Sequence, residues 1–175
     1  NSRIVWLSVC MVWGIFSSCN TDRERKIDYT RYVNPFVGNA DNGHTFPGAC
    51  APFGLIQVSP ESGNGSWRYC SGFNDDSIGG FSQTHLNGTG VPDLGDIRML
   101  PFNQNLQGKR FFCRYERETQ VAMPGYYSVK LADMNIDVEL TVTERTAMHK
   151  YTFNPKIQSI GYRGKRIYCL ICRMD

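Results

Sequence analysis

Apolar and polar residues alternate most cleanly in two neighbouring stretches, residues 127–131 and 136–143. In the first, Tyr127, Val129 and Leu131 alternate with Ser128 and Lys130. In the second, Ile136, Val138, Leu140 and Val142 alternate with Asp137, Glu139, Thr141 and Thr143. Successive side chains of a strand point to opposite faces. A period of two therefore predicts strands with aliphatics on one sheet face and acidic or hydroxyl groups on the other. Residues 132–135 can turn between them, which makes the pair an antiparallel hairpin, and residues 149–153 supply the next strand. Short apolar bursts at 55–58 and 97–100 read as further strands by length and composition. No stretch repeats its apolar positions at helical spacing. The expected fold is all-β, an antiparallel β-sandwich.

Between residues 33 and 101 the pattern changes character. Glycines and prolines recur among aromatics and isolated polar groups, as in Pro52-Phe53-Gly54 and Gly88-Thr89-Gly90. Glycine permits backbone geometries that other residues avoid, and proline fixes φ, so such composition builds shaped loops. Loops held on a rigid scaffold are where binding and catalytic groups usually sit.

The two ends read differently from the middle. Arg3 precedes an apolar run of roughly 13 residues, 4–16, followed by Ser17-Ser18-Cys19. That run is short for a bilayer span, which needs about 20 residues. A basic start, a short apolar segment and small residues before a cysteine describe a lipoprotein-type signal over 1–19. Cys19 is then the lipidated first residue of the mature chain, although Phe16 stands where leucine is commoner. Residues 20–26 are a polar tether, 27–155 the β-sandwich domain, and 156–175 a divergent, basic tail that reads as truncated or frame-shifted. An incomplete sandwich would leave an unpaired edge. The expected location is outside the cytoplasm of a bacterium, in the periplasm or at the outer membrane, with a lipid anchor as the sole membrane attachment.

Bulk properties exclude more than they assign. At 175 residues the chain suits one ordinary domain, and 41% hydrophobic content is compatible with a core. A net charge of +3 is too small to argue for nucleic acid, and no basic stripe alternates with stacking aromatics. Seven cysteines suggest a disulfide framework at first. With Cys10 and Cys19 assigned to the signal, an odd five remain at irregular spacing. Cys169 and Cys172 form a C-x-x-C pair with no second ligand pair, so a structural zinc site is not supported.

The loop-rich middle also carries a resemblance. The blocks are Asn34-Pro35-Phe36, Gly43-His44-Thr45-Phe46-Pro47-Gly48-Ala49, Pro52-Phe53-Gly54, residues 67–73 with Trp67 and Cys70, residues 82–90 with His85, and Asp93-Leu94-Gly95-Asp96. They continue through Pro124-Gly125-Tyr126-Tyr127 and residues 139–145 to Tyr151-Thr152-Phe153. In order and wording they resemble the N-terminal domain of glycoside hydrolase family 92, the calcium-dependent, inverting α-mannosidases. The series covers about the central two-thirds of the chain.

That resemblance implies a partner, a cofactor and site residues. The partner is an α-mannose-containing glycan. The catalytic acid, base and calcium ligands come from a C-terminal helical (α/α)6 domain, which is not among these 175 residues. The fragment alone is therefore expected to be inactive and to bind no calcium, and no catalytic residue is nominated. The N-terminal domain lends a share of a sugar pocket formed between two domains. Trp67, on a Gly/Asn/Ser-rich approach, is the leading pocket residue, since sugar C–H faces stack on indole. Cys70 belongs to the same block. His44 and His85 can each contact a sugar hydroxyl or brace a loop. Arg68 and Ser66 stand where the family usually has an acidic residue and Gly, and Gln83 where it often has His. Asp93 and Asp96 read as turn and loop braces. Ser82, His85 and Asp96 make a triad only on paper, without a strand–elbow–helix signature. A second reading is a non-catalytic carbohydrate-binding module. Continuation of the gene into a helical domain rich in Glu and Asp favours the first reading; a stop at Asp175 favours the second.

Overall fold

The computed structural model describes residues 27–40, 43–62, 75–85, 94–102, 112–154 and 165–172, with Ser62 and 165–172 as backbone only. Cys19, Trp67, Cys70, the signal and the tether lie outside these residues.

Among the described residues, eight strands follow one another as a meander, each antiparallel to the next. They are β1 (Ala49–Cys50), β2 (Gln57–Ser62), β3 (Ser77–Ser82), β4 (Cys113–Met123), β5 (Tyr126–Leu131), β6 (Ile136–Val142), β7 (Thr146–Phe153) and β8 (Lys165–Cys172). The sheet folds over at β4. The first two residues of that strand pair with β3, through Ile78↔Cys113 and Ser77↔Arg114, and the rest pairs with β5. A register shift between Glu116 and Val121 marks the bend, as bulges do. Strands β1 and β2 thereby lie across β5 and β6, the two layers of a sandwich.

Alternation explains the layer contact. Tyr127, Val129 and Leu131 of β5 and Ile136, Val138 and Leu140 of β6 are buried, while Asp137 and Glu139 lie toward the outer face. Ala49, Ile56, Val58, Ile78 and Phe81 meet them from the other layer. Burying a side chain of this size contributes about 1.5–3 kcal/mol, so this cluster is what holds the layers together. Ion pairs line the outer face: Lys130–Glu116 at 3.0 Å, Arg114–Asp133 at 2.9 Å, and Lys150 with Glu139. The β4–β5 turn requires Gly125, whose φ is +77°.

The hairpin expected around residues 132–135 is present, closed by Asn135 at φ +50°. Two expected strands differ. The first begins at Gln57 rather than Leu55, because the Leu55 and Ile56 N–H groups donate to the Glu144 carbonyl instead of a ladder. Residues 97–100 form no strand. Ile97 takes φ +52°, and Met99 alone pairs, exchanging two backbone hydrogen bonds with Phe81. The tail also contributes: β8 pairs along the whole of β7, from Thr146↔Cys172 to Phe153↔Lys165.

Candidate functional site

One end of the sandwich gathers the loops that the sequence marks out. The 51–56 loop joins β1 to β2, residues 83–85 leave β3, residues 94–98 return beside them, and the β6–β7 turn closes the group. Backbone hydrogen bonds tie these segments together: Leu55 N–H to Glu144 O (2.8 Å), Gln57 N–H to Gln83 O (2.9 Å), Gln83 N–H to Asp96 O (3.0 Å) and Gly95 N–H to Thr84 O (2.9 Å).

Beneath the loops lies a buried polar cluster. Gln57, Ser59 and Glu61 alternate along one face of β2, opposite the core-facing Ile56 and Val58. The Glu61 carboxylate reaches His85: Oε1 lies 2.8 Å from Nε2, with both side chains 2% exposed. The Ser82 hydroxyl donates to the same Oε1. On the opposite side of the ring, Nδ1–H donates to the Gln57 carbonyl at 2.6 Å. Phe46 stacks on the imidazole, with centroids 5.2 Å apart and planes at 28°. His85 is therefore held on three sides and is turned away from solvent.

Ser82 lies 3.2 Å from His85 Nε2, yet the trio is not a nucleophilic relay. A relay needs the hydroxyl at one ring nitrogen and the carboxylate supporting the other. Here both crowd Nε2, and Nδ1 faces the backbone. Asp96 serves elsewhere, accepting from the Thr84 hydroxyl at 3.2 Å while its own N–H donates to the Thr84 oxygen. It braces the loop, the role its turn-like setting implies.

A second buried string crosses from these loops to β7. His149 lies on the inward face with Ala147 and Tyr151. Its Nε2 is 3.0 Å from Gln83 Nε2, its Nδ1 is 2.8 Å from the Tyr151 hydroxyl, and Gln83 Nε2 also reaches Ile97 O at 3.5 Å. Burial pushes the His149 pKa down to about 4. The neutral ring accepts the Gln83 amide at Nε2 and donates from Nδ1 to Tyr151. Gln83, marked out above for replacing a histidine, thus meets a histidine across the fold. His149 is the residue that sequence reading passed over. Its signal was parity: 147, 149 and 151 share the inward face of a strand that was itself expected.

His44 sits partly exposed in the 43–48 segment at φ +54°. The segment is pinned by the Thr45 hydroxyl donating to Val37 O (2.8 Å). It packs so tightly on β2 that a Cβ at Gly48 would collide with the Val58 carbonyl and with Ser59. Phe53, Leu94 and Ile97 also occupy left-handed backbone, at φ +58°, +69° and +52°. Such conformations cost bulky residues about 1–3 kcal/mol each and cluster at functional sites.

Five of the described carboxylates have protein partners: Glu61 has His85, Asp96 has Thr84, Asp133 has Arg114, and Glu116 and Glu139 have lysines. Calcium takes six to eight oxygen ligands, and among the described residues no group of three or more His, Cys, Asp or Glu side chains could hold a metal ion.

Comparison with known proteins places this arrangement. Residues 32–161 match the model of the glycosyl hydrolase family 92 N-terminal domain. An uncharacterized secreted glycosidase of Arthroderma benhamiae is 34% identical over 139 residues, which are 72% of this chain and 17% of that protein. A family GH92 α-mannosidase of Bacteroides thetaiotaomicron, solved in complex with mannoimidazole, superposes with a TM-score of 0.66 at 38% identity. The match covers 71% of this chain and 18% of that one. A family GH92 inverting mannosidase of the same organism, at 22% identity and TM-score 0.57, shares the fold. The chain thus spans about a fifth of the length of the proteins it matches.

Proposed function

Because the chain belongs to glycosyl hydrolase family 92, as its N-terminal domain, we propose that it forms one wall of the glycan-binding cleft of an exported α-mannosidase. The observation that carries this reading is the braced loop end. Left-handed residues stand on a buried Glu61–His85–Ser82 cluster, a rigid platform for groups that face a ligand. A mannosidase relative in complex with mannoimidazole supports a mannoside as the ligand class. In this reading Trp67 stacks on the sugar and His44 and Cys70 contribute further contacts, while His85 acts from beneath by fixing the platform.

Inverting hydrolysis needs an acid and a base about 6.5–9.5 Å apart across the scissile bond. In this reading the acid, base and calcium belong to the helical part of the complete enzyme, as the family resemblance implies. Accordingly, the 175-residue chain with calcium should leave an aryl α-mannoside intact. Turnover that disappears when one of its own carboxylates is substituted would refute that division of labour.

Replacing the N-terminal domain of the Bacteroides α-mannosidase with this one should preserve hydrolysis. In that chimera Trp67→Ala should lower kcat/KM tenfold to a hundredfold, about 1–3 kcal/mol of transition-state binding. If Trp67 is instead a core residue, the same change costs about 3–5 kcal/mol of stability and leaves the folded molecules fully active.

Export proceeds through the lipoprotein-type signal, and the name of the secreted Arthroderma relative is consistent with export. A bacterial host supplied with labelled fatty acid should label the chain at Cys19. Equal labelling of Cys19→Ala would remove the lipid anchor from this account.

A further inference from the structure

We propose that residues 27–33 form a membrane-contacting face, through which the domain rests on the lipid surface that holds Cys19. The inference rests on the lipid-anchor reading and adds to it the part of the protein that touches the bilayer. Ile27, Tyr29, Tyr32 and Val33 fall within this short stretch, with Arg31 among them. Tyrosine joins an apolar ring to a hydroxyl that can stay wet, a combination suited to the headgroup level of a bilayer. The charges from Asp22 to Arg31 are mixed in sign, so ring burial rather than charge carries the contact.

The structure leaves these side chains outside the sandwich. Ile27, Tyr29, Tyr32 and Val33 are between 55% and 69% exposed. The 3-10 turn Thr30–Tyr32 buries none of its residues. Local hydrogen bonds hold that turn in place of packing. The Asp28 carboxylate accepts from the Thr30 N–H at 3.0 Å and from its hydroxyl at 2.6 Å. The Val33 N–H donates to the Thr30 carbonyl at 3.1 Å. The Arg31 guanidinium lies over the Tyr32 ring, 4.7 Å from its centroid. A turn shaped by its own bonds, with its rings in solvent, suits contact with something beyond the domain.

Exposed apolar residues also occur at Phe53, Leu94 and Ile97 and at Val121, Met123 and Met148. What sets 27–33 apart is its leash, and the leash names the occupant. Ile27 follows Cys19 by eight positions, 27 − 19 = 8. An extended chain spans at most about 3.6 Å per residue, so Ile27 lies within about 29 Å of the lipid attachment. On so short a leash the effective concentration is of the order of millimolar, and a contact too weak for a free protein is populated.

The test places an indole in the segment and a quencher in the membrane. The chain is expressed with its signal in a bacterial host and reconstituted in phosphatidylethanolamine–phosphatidylglycerol vesicles with brominated acyl chains. Trp67 remains as background once the signal is removed, and the parent measures it. The indole added by Tyr32→Trp should lose roughly half its emission, as a ring seated at the headgroup–acyl boundary does. Met148→Trp, on β7, should keep its emission. In protein that carries the fatty-acid label, an unquenched indole at position 32 would overturn the proposal and leave the anchor intact. Equal quenching at both positions would overturn it too, since no one face would then meet the lipid. If the chain takes no label, the anchor reading fails, and a chain starting at Asn20 decides the face by itself. Quenching at position 32 with excess vesicles would sustain the face without the anchor, and none would end it.

Discussion

Acidification from pH 7 to pH 4 should remove about 3 kcal/mol of stability from this domain, most of it through one side chain. His149 is fully buried, and burial holds its pKa at about 4 against an ordinary 6.5. A shift of that size, at about 1.4 kcal/mol per pH unit, gives the figure. The sign follows from proton counting. Between the two values the unfolded chain binds a proton that the folded chain refuses, so stability rises with pH across the window. The contribution is complete above pH 6.5 and is lost as pH falls toward 4. Asp133 acts lower on the scale. Burial works to raise its carboxyl, but hydrogen bonds from the Arg114 N–H and guanidinium outweigh it and hold the group below 3.8. Its support is lost beneath the histidine window. Urea unfolding at several pH values should therefore show a slope between 4 and 6.5 that flattens in His149→Gln, which keeps a neutral partner for Gln83. An unchanged slope in that variant would place the acid sensitivity elsewhere.

The same histidine shows how far sequence alone reaches. Strands β5 and β6 were legible because each pairs aliphatics on one face with acids or hydroxyls on the other, and both are half-buried in the way alternation implies. Strand β4 was not. Arg114, Glu116, Arg117 and Glu118 interrupt any alternation, since the strand bends between layers and lies largely half-buried along its length. Residues 97–100 misled in the opposite direction. An apolar run of strand-like composition is a loop there, because Ile97 adopts a left-handed φ that local propensity disfavours and tertiary hydrogen bonds enforce. The loop blocks carrying the family resemblance were readable as blocks. What they do to one another was not, because Glu61 meets His85 across 24 positions and Gln83 meets His149 across 66. Contacts at such separation depend on strand register, which no local pattern displays.

The cluster beneath the loops makes the larger prediction. Removing the Glu61 carboxylate strips His85 Nε2 of its carboxylate partner and Ser82 of its acceptor, both among buried side chains. Breaking a buried pair by deleting one member costs about 3–5 kcal/mol, because the survivor is left polar and unpartnered. A domain of ordinary stability holds about 5–15 kcal/mol, so Glu61→Ala should unfold at much lower urea than its parent. Deleting both members is a different experiment. Glu61 Oε2 is buried with no hydrogen-bond partner among the described residues, so the pair is incompletely compensated to begin with. Phe46 already offers His85 an aromatic face. Glu61→Leu combined with His85→Phe should therefore recover much of the loss, since an apolar pair of similar volume needs no partners and can keep the stack. If the double variant is as unstable as Glu61→Ala, the site depends on polar contacts beyond the pair. If Glu61→Ala melts with its parent, the ion pair is not what supports the loops. The expected ordering, parent above double variant above single, separates the cost of an orphaned buried polar group from the worth of the pair. It also predicts where function suffers. The double variant should be folded yet lack the hydrogen bond that Gln57 O accepts and the one that Ser82 donates, which fix the 82–85 loop, so in the chimera it should lose mannosidase activity that its stability alone would not predict.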